Sequence, residues 1–387
     1  MSRGGMRLGS ETSMHGIDLT QLPAPAQRIL GPGAPAPAKM MAAKGIVPGL
    51  RPPEVVTVLV ALRADSDVKL AEVARETLGK LPPPMLAGAL GADLQAPVVE
   101  ALADAYATNA EIVEKLLRLP RIGTAALEIL ADRADERIGE LIATNEEAML
   151  ANPTVIEKLY MNKRVRMSTA DRLLELAVRN GLELNLAAFK EAAAAIKNEL
   201  IAEAGEEPTP DDVLFAETDN LAQAHDIESE EDDTHAVDDE GEEHLKDKFL
   251  PLYAQIAQMT VSQKIRRAQV GTAAERLLLV RDTNRLVASA AVKSPAMREN
   301  EAVIIAASRN VGEDVLREIA RNREFTRNYQ VKLNLSRNPR CPFTFSARII
   351  PLLRDNDLRD LAKSKNVPSS VQQAARQQLE RKRGGKG

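Results

Sequence analysis

Histidine is the side chain best suited to acid–base catalysis near neutral pH, and this chain of 387 residues has four. They are His15, His225, His235 and His244. The last three stand ten and nine residues apart among carboxylates, a spacing that would allow only loose binding of a divalent metal. All four lie in segments with the composition of disordered chain, whereas a catalytic base needs a rigid scaffold. We therefore expect no histidine-based active site and no metal site.

The other chemistry-bearing patterns are equally weak. The only cysteine, Cys341, has no partner histidine or second cysteine, so a small buried thiol is favoured over a nucleophile. Gly79-Lys80 lacks the upstream glycine and the following Ser or Thr of a phosphate-binding loop. Asp355 and Asp357 suit a helix start, where carboxylates favour the dipole. The sequence predicts no catalytic residue, no cofactor and a protein that is not an enzyme.

Charge is distributed unevenly along the chain. Residues 1–202 are nearly neutral, residues 203–243 carry 18 acidic and no basic side chains, and residues 244–387 carry 28 basic against 13 acidic ones. The whole-chain net charge of −5 conceals this asymmetry. An acidic block beside a basic domain points to electrostatic interactions within the chain or with partners.

The basic half offers candidate anion-binding or partner-binding residues. Two arginines stand four residues apart, as do two cations one repeat later, so both pairs should lie on helix faces and form one stripe. A second row would precede two turns that contain proline. The six candidates are Arg317, Arg321, Arg359, Lys363, Lys293 and Arg337.

These charges have a second interpretation as solubilising or capping residues. Arg317 or Arg359 could pair with acids on the same helices, namely Glu313, Glu318, Asp355 or Asp360. Binding of single-stranded nucleic acid usually adds aromatic platforms, and Phe325 and Tyr329 have helical core spacing instead. The sequence leaves both interpretations open.

Short amphipathic helices must position these residues. Apolar side chains recur about one turn apart from residue 53 to about 200, and no segment shows strand alternation between hairpin turns. Asn152-Pro153 is helix-start chemistry, since proline is tolerated at the first helical position. The pattern predicts an all-α protein.

An internal repeat is visible in the basic half. A shift of 44 residues carries Lys293-Ser294-Pro295 onto Arg337-Asn338-Pro339 and Leu286-Val287 onto Gln330-Val331. A shift of 42 carries the segment 316–321 onto 358–363. This period lies in the range of HEAT and armadillo arrays, in which stacked helix pairs share a continuous core.

The Asn-Pro helix start and the segments 316–322 and 354–368 resemble the HEAT-like and leucine-rich-repeat-variant superfamily. The two-part layout is similar to uncharacterised bacterial solenoid proteins of that kind. The resemblance covers roughly residues 53–200 and 245–380. It implies two α-solenoid domains and an interaction role, and it specifies no chemistry.

The expected organisation has five parts. A disordered lead rich in Gly, Pro and Ala (1–51) precedes an N-terminal helical repeat domain (52–202), since its few periodic apolar positions would not pack. An acidic linker (203–243) should be disordered, because its charge prevents burial. A basic HEAT-like domain (244–380) and a flexible basic tail (381–387) follow.

We therefore expect a non-enzymatic scaffold that binds protein partners of unknown identity. The alternative is a nucleic-acid-binding protein that uses the basic half, with the acidic linker competing for the same face; an acidic protein segment is a further possible ligand there. A base-modifying enzyme of the HEAT-like type is disfavoured by the absence of tryptophan. One cysteine and no apolar run of membrane-spanning length predict a cytoplasmic protein.

Overall fold

Helices account for most of the chain in the computed structural model, which describes residues 13–120, 122–197, 199–227 and 233–384. Within these ranges the only strands belong to two short antiparallel hairpins, which confirms the all-α class. The chain divides into two compact units, Met1–Val165 and Arg166–Gly387. None of the described helices is long and apolar enough to cross a lipid bilayer.

The first unit contains one hairpin and eleven helices over its described residues. The strands are β1 (Ser13–Met14) and β2 (Ile17–Asp18). The helices are α1 (Ala24–Leu30), α2 (Ala36–Ala43), α3 (Pro52–Leu62), α4 (Val68–Leu78), α5 (Pro83–Leu90), α6 (Ala96–Tyr106), α7 (Ala110–Leu117), α8 (Thr124–Arg133), α9 (Glu136–Ala143), α10 (Glu146–Ala151) and α11 (Pro153–Met161).

Packing in this unit joins helices that are separated by one helix in sequence. Helix α2 packs against α4, α3 against α5, α6 against α8, and α7 against α9. The core between them is aliphatic; Leu59, Leu102 and Leu130 are fully buried. Thin layers of this kind need small aliphatic side chains rather than large aromatic ones.

Among the residues described for it, the second unit has thirteen helices and a second hairpin. The helices are α12 (Met167–Arg179), α13 (Phe189–Ile196), α14 (Pro210–Ala224), α15 (Leu250–Gln258), α16 (Val261–Val270), α17 (Ala273–Leu279), α18 (Arg285–Val292), α19 (Glu299–Ala307), α20 (Glu313–Arg321), α21 (Tyr329–Arg337), α22 (Phe343–Ile349), α23 (Asp355–Lys363) and α24 (Ser369–Gly384). Strands β3 (His235–Val237) and β4 (Glu243–Leu245) pair with Ala236 opposite His244. Helix α16 packs against α18, α17 against α19, α18 against α20, and α19 against α21.

Helices α20 and α23 correspond residue by residue at the 42-residue shift. Each has nine residues, and both starts and both ends lie 42 apart. Leu316 and its counterpart Leu358 are fully buried. After each helix a polar side chain accepts the backbone N–H two residues on: Asn322 Oδ1 from Glu324 at 2.9 Å, and Ser364 Oγ from Asn366 at 3.3 Å. The period seen in the sequence is therefore present in local structure.

The 44-residue shift marks a second correspondence, at helix ends. Asn338 follows α21 and donates Nδ2 to the carbonyls of Ala306 (2.9 Å) and Ser308 (2.8 Å) at the end of α19. Its counterpart Ser294 follows α18 and donates Oγ to the carbonyl of Gln269 on α16 (3.4 Å). These side chains satisfy carbonyls that a helix end leaves without partners.

The first unit contains the same asparagine device. Asn162 follows α11 and donates Nδ2 to the carbonyls of Ala131 (3.0 Å) and Ala134 (2.9 Å) at the end of α8. Its Oδ1 accepts the N–H of Arg164, as Asn338 Oδ1 accepts that of Arg340. One local solution thus joins neighbouring helices in each unit.

The expected disorder of residues 1–51 is wrong for its described part. Residues 13–51 contain β1, β2, α1 and α2, while residues 1–12 lie outside the described ranges. Ile17 is fully buried, and Gln95 Oε1 accepts the Asp18 N–H at 2.7 Å. Small residues that looked unable to pack alone, such as Ala26 and Ala42, are buried because α3 covers them.

The expected disordered linker at 203–243 also needs correction. Helix α14 occupies residues 210–224, and its Phe215 and Ala222 are buried within the second unit. The boundary between units lies at Val165/Arg166 rather than in the acidic segment, because α13 packs on α16 and α18. Cations and backbone N–H groups of the basic half compensate the acidic charge, so it does not prevent folding.

The start of the basic tail, which was expected to be flexible, is helical. Helix α24 continues to Gly384, and residues 385–387 lie outside the described ranges. Lys382 donates Nζ to the Leu353 carbonyl and to Asp355 Oδ1, each at 2.9 Å. The start of the tail is therefore attached to the unit that precedes it.

Gly271 gives a test of the packing between α16 and α17. A Cβ at this position would lie 2.5 Å from the Arg267 carbonyl oxygen and 2.4 Å from Glu275 Oε2, and the backbone oxygen cannot swing away. We expect Gly271→Ala to lower the free energy of unfolding by about 1–3 kcal/mol. Gly312→Ala is the control, since nothing lies within 4 Å of its Cβ position. Equal thermal unfolding midpoints for the two variants would contradict the close approach.

Candidate functional site

Two of the six candidate cations are paired on their own helix. Arg317 donates to Glu313 and, at 3.2 Å, to Asp314. Arg321 lies 3.3 Å from Glu318. Glu313 and Glu318 are among the carboxylates that the sequence offered as internal partners, so for this helix the internal-pairing interpretation holds. These exposed pairs add little stability and leave less net charge for an anion.

The remaining four candidates have different surroundings. Arg359 donates to the Asn356 side chain at 2.8 Å, and Lys363 is exposed at the end of α23. Lys293 lies 2.6 Å from the buried carboxylate of Glu191, and Arg337 lies 3.8 Å from Asp357. Lys293 serves the packing of α18 on α13, so it does not form an exposed row with Arg337.

The second unit also contains buried charged side chains, which the sequence did not indicate. Arg276 and Glu301 are 3% and 1% exposed and form a two-pronged pair, with Nε–Oε2 at 2.8 Å and Nη2–Oε1 at 2.9 Å. Arg276 Nη1 also donates to the Gly271 carbonyl at 2.7 Å. The pair joins α17 to α19. Desolvation is offset here by several charge-assisted hydrogen bonds with matched geometry.

A second buried arginine joins three helices. Arg267 is fully buried on α16; its guanidinium lies 2.6 Å from Glu275 on α17 and 3.0 Å from Asp219 on α14. The ring of Phe215 lies beneath both Arg266 and Arg267, 4.9 Å from each guanidinium carbon. Burial raises the pKa of Glu275, and the Arg267 charge opposes that rise. The acidic segment therefore completes the core of the basic half.

The acidic segment contacts the basic half at seven-residue intervals. Asp219 meets Arg267, Asp226 Oδ1 accepts the Ala274 N–H at 3.1 Å, and Asp233 Oδ2 lies 2.7 Å from Arg281 Nη2. The two partners of each pair are 48 residues apart in sequence. From one pair to the next, both partners lie seven residues further along the chain. Ala274 lies in the first turn of α17, where backbone N–H groups lack helical partners and favour a carboxylate.

Arg281 is a convergence point at the end of this series. Its side chain is 6% exposed and also lies 3.3 Å from Glu243 Oε2. The Glu243 carboxylate accepts the Ser308 hydroxyl at 2.7 Å and the Arg309 N–H at 2.6 Å. The Ser308, Arg309 and Arg281 donors keep the pKa of Glu243 below its usual value, although burial opposes them. The β3–β4 hairpin is thus attached to α17 and to the end of α19.

A pocket of about 430 Å³ lies between this hairpin, α15 and α17. Its lining combines apolar side chains with a few polar ones, which is typical of binding pockets. Lys264 and Asp282 form an ion pair of 3.0 Å on its wall, and Tyr253 is 52% exposed. Burial and the Arg281 charge lower the pKa of His235, another wall residue, to about 4, so this imidazole is neutral at neutral pH.

The other residues that were considered for chemistry do not form a common site. His15 is exposed with φ of 51°, His225 ends α14, and His244 Nε2 lies 2.7 Å from Asp238. Cys341 is buried, which raises its thiol pKa. Across the described ranges no group of three or more His, Cys, Asp or Glu side chains could hold a metal. The Tyr329 hydroxyl donates to Asp357 and accepts the Arg354 N–H at 2.9 Å, a structural role.

Comparison with known proteins gives no match: no family model fits the chain, and no curated protein and no solved structure is significantly similar to it.

One sequence signal could have located the contacts of the acidic segment. Asp212, Asp219, Asp226 and Asp233 stand seven residues apart, a period that net charge alone does not reveal. Asp212 continues this seven-residue series towards the N-terminus. Its carboxylate accepts the Ser168 N–H at 2.8 Å and the Thr209 N–H at 2.8 Å. The buried arginines gave no such signal, because an exposed and a buried arginine look alike in a sequence.

Removing one partner of the buried pair tests its role. We expect Glu301→Ala to lower the free energy of unfolding by about 3–5 kcal/mol, because Arg276 would stay buried without its carboxylate. Glu318→Ala removes the partner of exposed Arg321 and should cost at most about 1 kcal/mol. Urea unfolding followed by circular dichroism measures both. Equal midpoints would show that the Arg276–Glu301 pair does not support the core.

Asp171 provides a pH-dependent contribution to stability. It lies on α12 and accepts the Ser262 hydroxyl at 2.5 Å. Burial raises its pKa to about 7, and the Ser262 hydrogen bond and the charge of Arg266 only partly offset that effect. The folded protein therefore binds a proton, between about pH 4 and 7, that the unfolded chain has already lost.

A carboxyl group whose pKa is raised by folding stabilises the folded state less as pH increases through that window. We expect wild type to lose stability relative to Asp171→Asn as the pH increases from about 5 to about 8. Thermal or urea unfolding of both proteins at each pH gives the difference. A constant difference would show that Asp171 titrates normally.

Proposed function

We propose that the protein is a non-enzymatic scaffold that binds other proteins through stacked helical repeats of the HEAT-like type. The residue-by-residue correspondence of α20 and α23 is the observation that carries this proposal. The packing of alternate helices against each other and the shared devices at Asn162 and Asn338 support it. Repeats of this kind present long surfaces, which typically serve as binding sites.

A surface at the end of the second unit has the composition of a protein interface. Phe343 and Leu352 are 44% and 63% exposed, and the 3₁₀ helix Ile350–Leu352 packs against α22. Helix α23 follows at once and carries Arg359 and Lys363, both exposed. Exposed aromatic residues and arginine are enriched in protein interfaces, and their occurrence in consecutive elements of this unit favours a protein partner over nucleic acid.

The charge distribution also favours a protein partner. Arg266, Arg267, Arg276 and Arg281 contribute to the net positive charge of the basic half, yet all four are buried. Fewer exposed cations therefore remain for phosphates than the sequence suggested. A buried free thiol at Cys341 suits a reducing compartment, and it supports our proposal of a cytoplasmic location.

Affinity capture with the full chain tests the scaffold role. We expect bound proteins to survive nuclease treatment, to be lost with Leu352→Asp/Arg359→Glu, and to remain with the control Val68→Asp/Lys69→Glu. The control makes the same kind of change at exposed positions of the first unit. In parallel, a fluorescent single-stranded oligonucleotide is titrated at about 50 and 200 mM salt, because phosphate binding weakens steeply over that range. Nuclease-sensitive capture together with salt-dependent oligonucleotide binding would favour the nucleic-acid function instead.

A further inference from the structure

The described residues 225–227 and 233–245, here called the acidic arm, contact the rest of the second unit in a way that resembles a bound ligand. Helix α14, which precedes the arm, is anchored by buried Phe215 and Ala222. The arm itself is attached mainly through carboxylates, at Asp226, Asp233 and Glu243. Its apolar side chains contribute less, since Val237 is 67% exposed. The arm is thus held by contacts that another acidic chain could reproduce.

The surface under the arm presents donors at regular positions. The Ala274 N–H opens α17, the Arg281 guanidinium follows that helix, and the Ser308 hydroxyl and Arg309 N–H lie where α19 ends. All four groups donate to carboxylate oxygens of the arm. The first two donors stand seven residues apart in sequence, one in the first turn of α17 and one just after its end, so the surface suits carboxylates at a matching interval.

The pocket supplies an apolar contact beside these donors. Leu245 and His235 of the arm form part of its wall, and Tyr253, Ile256 and Leu278 form the opposite part. Tyr253 is only half covered. A segment that combined spaced carboxylates with a leucine-sized side chain would therefore fit donors and pocket together.

We propose that the acidic arm is an internal pseudo-ligand, which occupies a docking surface on α17, the end of α19 and the adjoining pocket for an acidic segment of a partner protein. The inference rests on the proposed binding role but concerns a surface apart from α22 and α23. Because the arm is tethered, its effective concentration is about millimolar, and it competes with any partner present at lower concentration. The partner gains access when the arm detaches.

Peptide binding to the full chain tests this inference. The probe is a fluorescent peptide with the sequence of residues 225–245. In the arm variant Asp226→Asn/Asp233→Asn/Glu243→Gln the tethered competitor is weakened, and we expect at least about tenfold tighter peptide binding than to wild type. The control Asp239→Asn/Glu240→Gln/Glu242→Gln removes the same charge from exposed side chains of the same arm and should bind as wild type does. Fluorescence anisotropy measures the dissociation constants.

Two further measurements identify the surface. Adding Arg281→Gln to the arm variant should abolish the gain, and a peptide carrying the three arm substitutions should bind at least about tenfold more weakly. Circular dichroism of each chain shows that it is folded; if the triple variant unfolds, Asp226→Asn alone replaces it, since this change removes one charge and keeps a side-chain oxygen that can accept the Ala274 N–H. Equal affinities of wild type, arm variant and control, or no peptide binding to the folded arm variant, would overturn the proposal.

The remaining outcomes separate this inference from others. A dimer of wild type, detected by light scattering and lost in the arm variant, would mean that the arm of a second copy is the occupant, and would overturn the assignment to a partner protein. Leu352→Asp/Arg359→Glu introduced into the arm variant should leave peptide affinity unchanged. The peptide result and the capture result can therefore fail independently.

Discussion

The second unit depends on how its buried arginines are neutralised. Arg267 and Arg276 lie in the core between helices, where an unpaired charge would cost several kcal/mol. Glu275 on α17 and Glu301 on α19 supply carboxylates, and Asp219 supplies one from the acidic segment. Because each pair joins two helices in one orientation, the ion pairs determine which helix packs beside which. The apolar core alone would specify this less sharply, since Ala, Val and Leu faces are nearly interchangeable.

The acidic segment follows from the same constraint. A basic half with buried arginines needs acidic partners, and the segment provides them at the interval set by α16 and α17. In isolation the charge of this segment would keep it unfolded. In the folded chain the same charge pairs with the basic half and stabilises the ordered conformation. Phe215 shows how the two effects combine, because its ring is buried as an apolar anchor and lies against two guanidinium groups at once.

Helix ends carry the repeat signal more clearly than helix faces do. Asn162 and Asn338 each satisfy carbonyls of a neighbouring helix and a backbone N–H two residues on, and this geometry needs an amide side chain that both donates and accepts. Aliphatic core positions tolerate exchange among Ala, Leu, Ile and Val, so they mark a correspondence between helices less sharply. In the first unit, helices that are separated by one helix in sequence still pack against each other.

The sequence by itself determined the helical class, the 42-residue and 44-residue correspondences and the separation of charge, because periodicity and composition are local properties of the chain. Only the tertiary structure decided that residues 13–51 and α14 are ordered, since Ile17 and Phe215 gain their burial from distant helices. It also decided which cations are available to a partner. Arg267 and Arg359 are the same residue type in similar helices, yet one is buried between carboxylates and the other is exposed. Burial depends on what packs against a side chain, and that information lies in residues far away in the sequence.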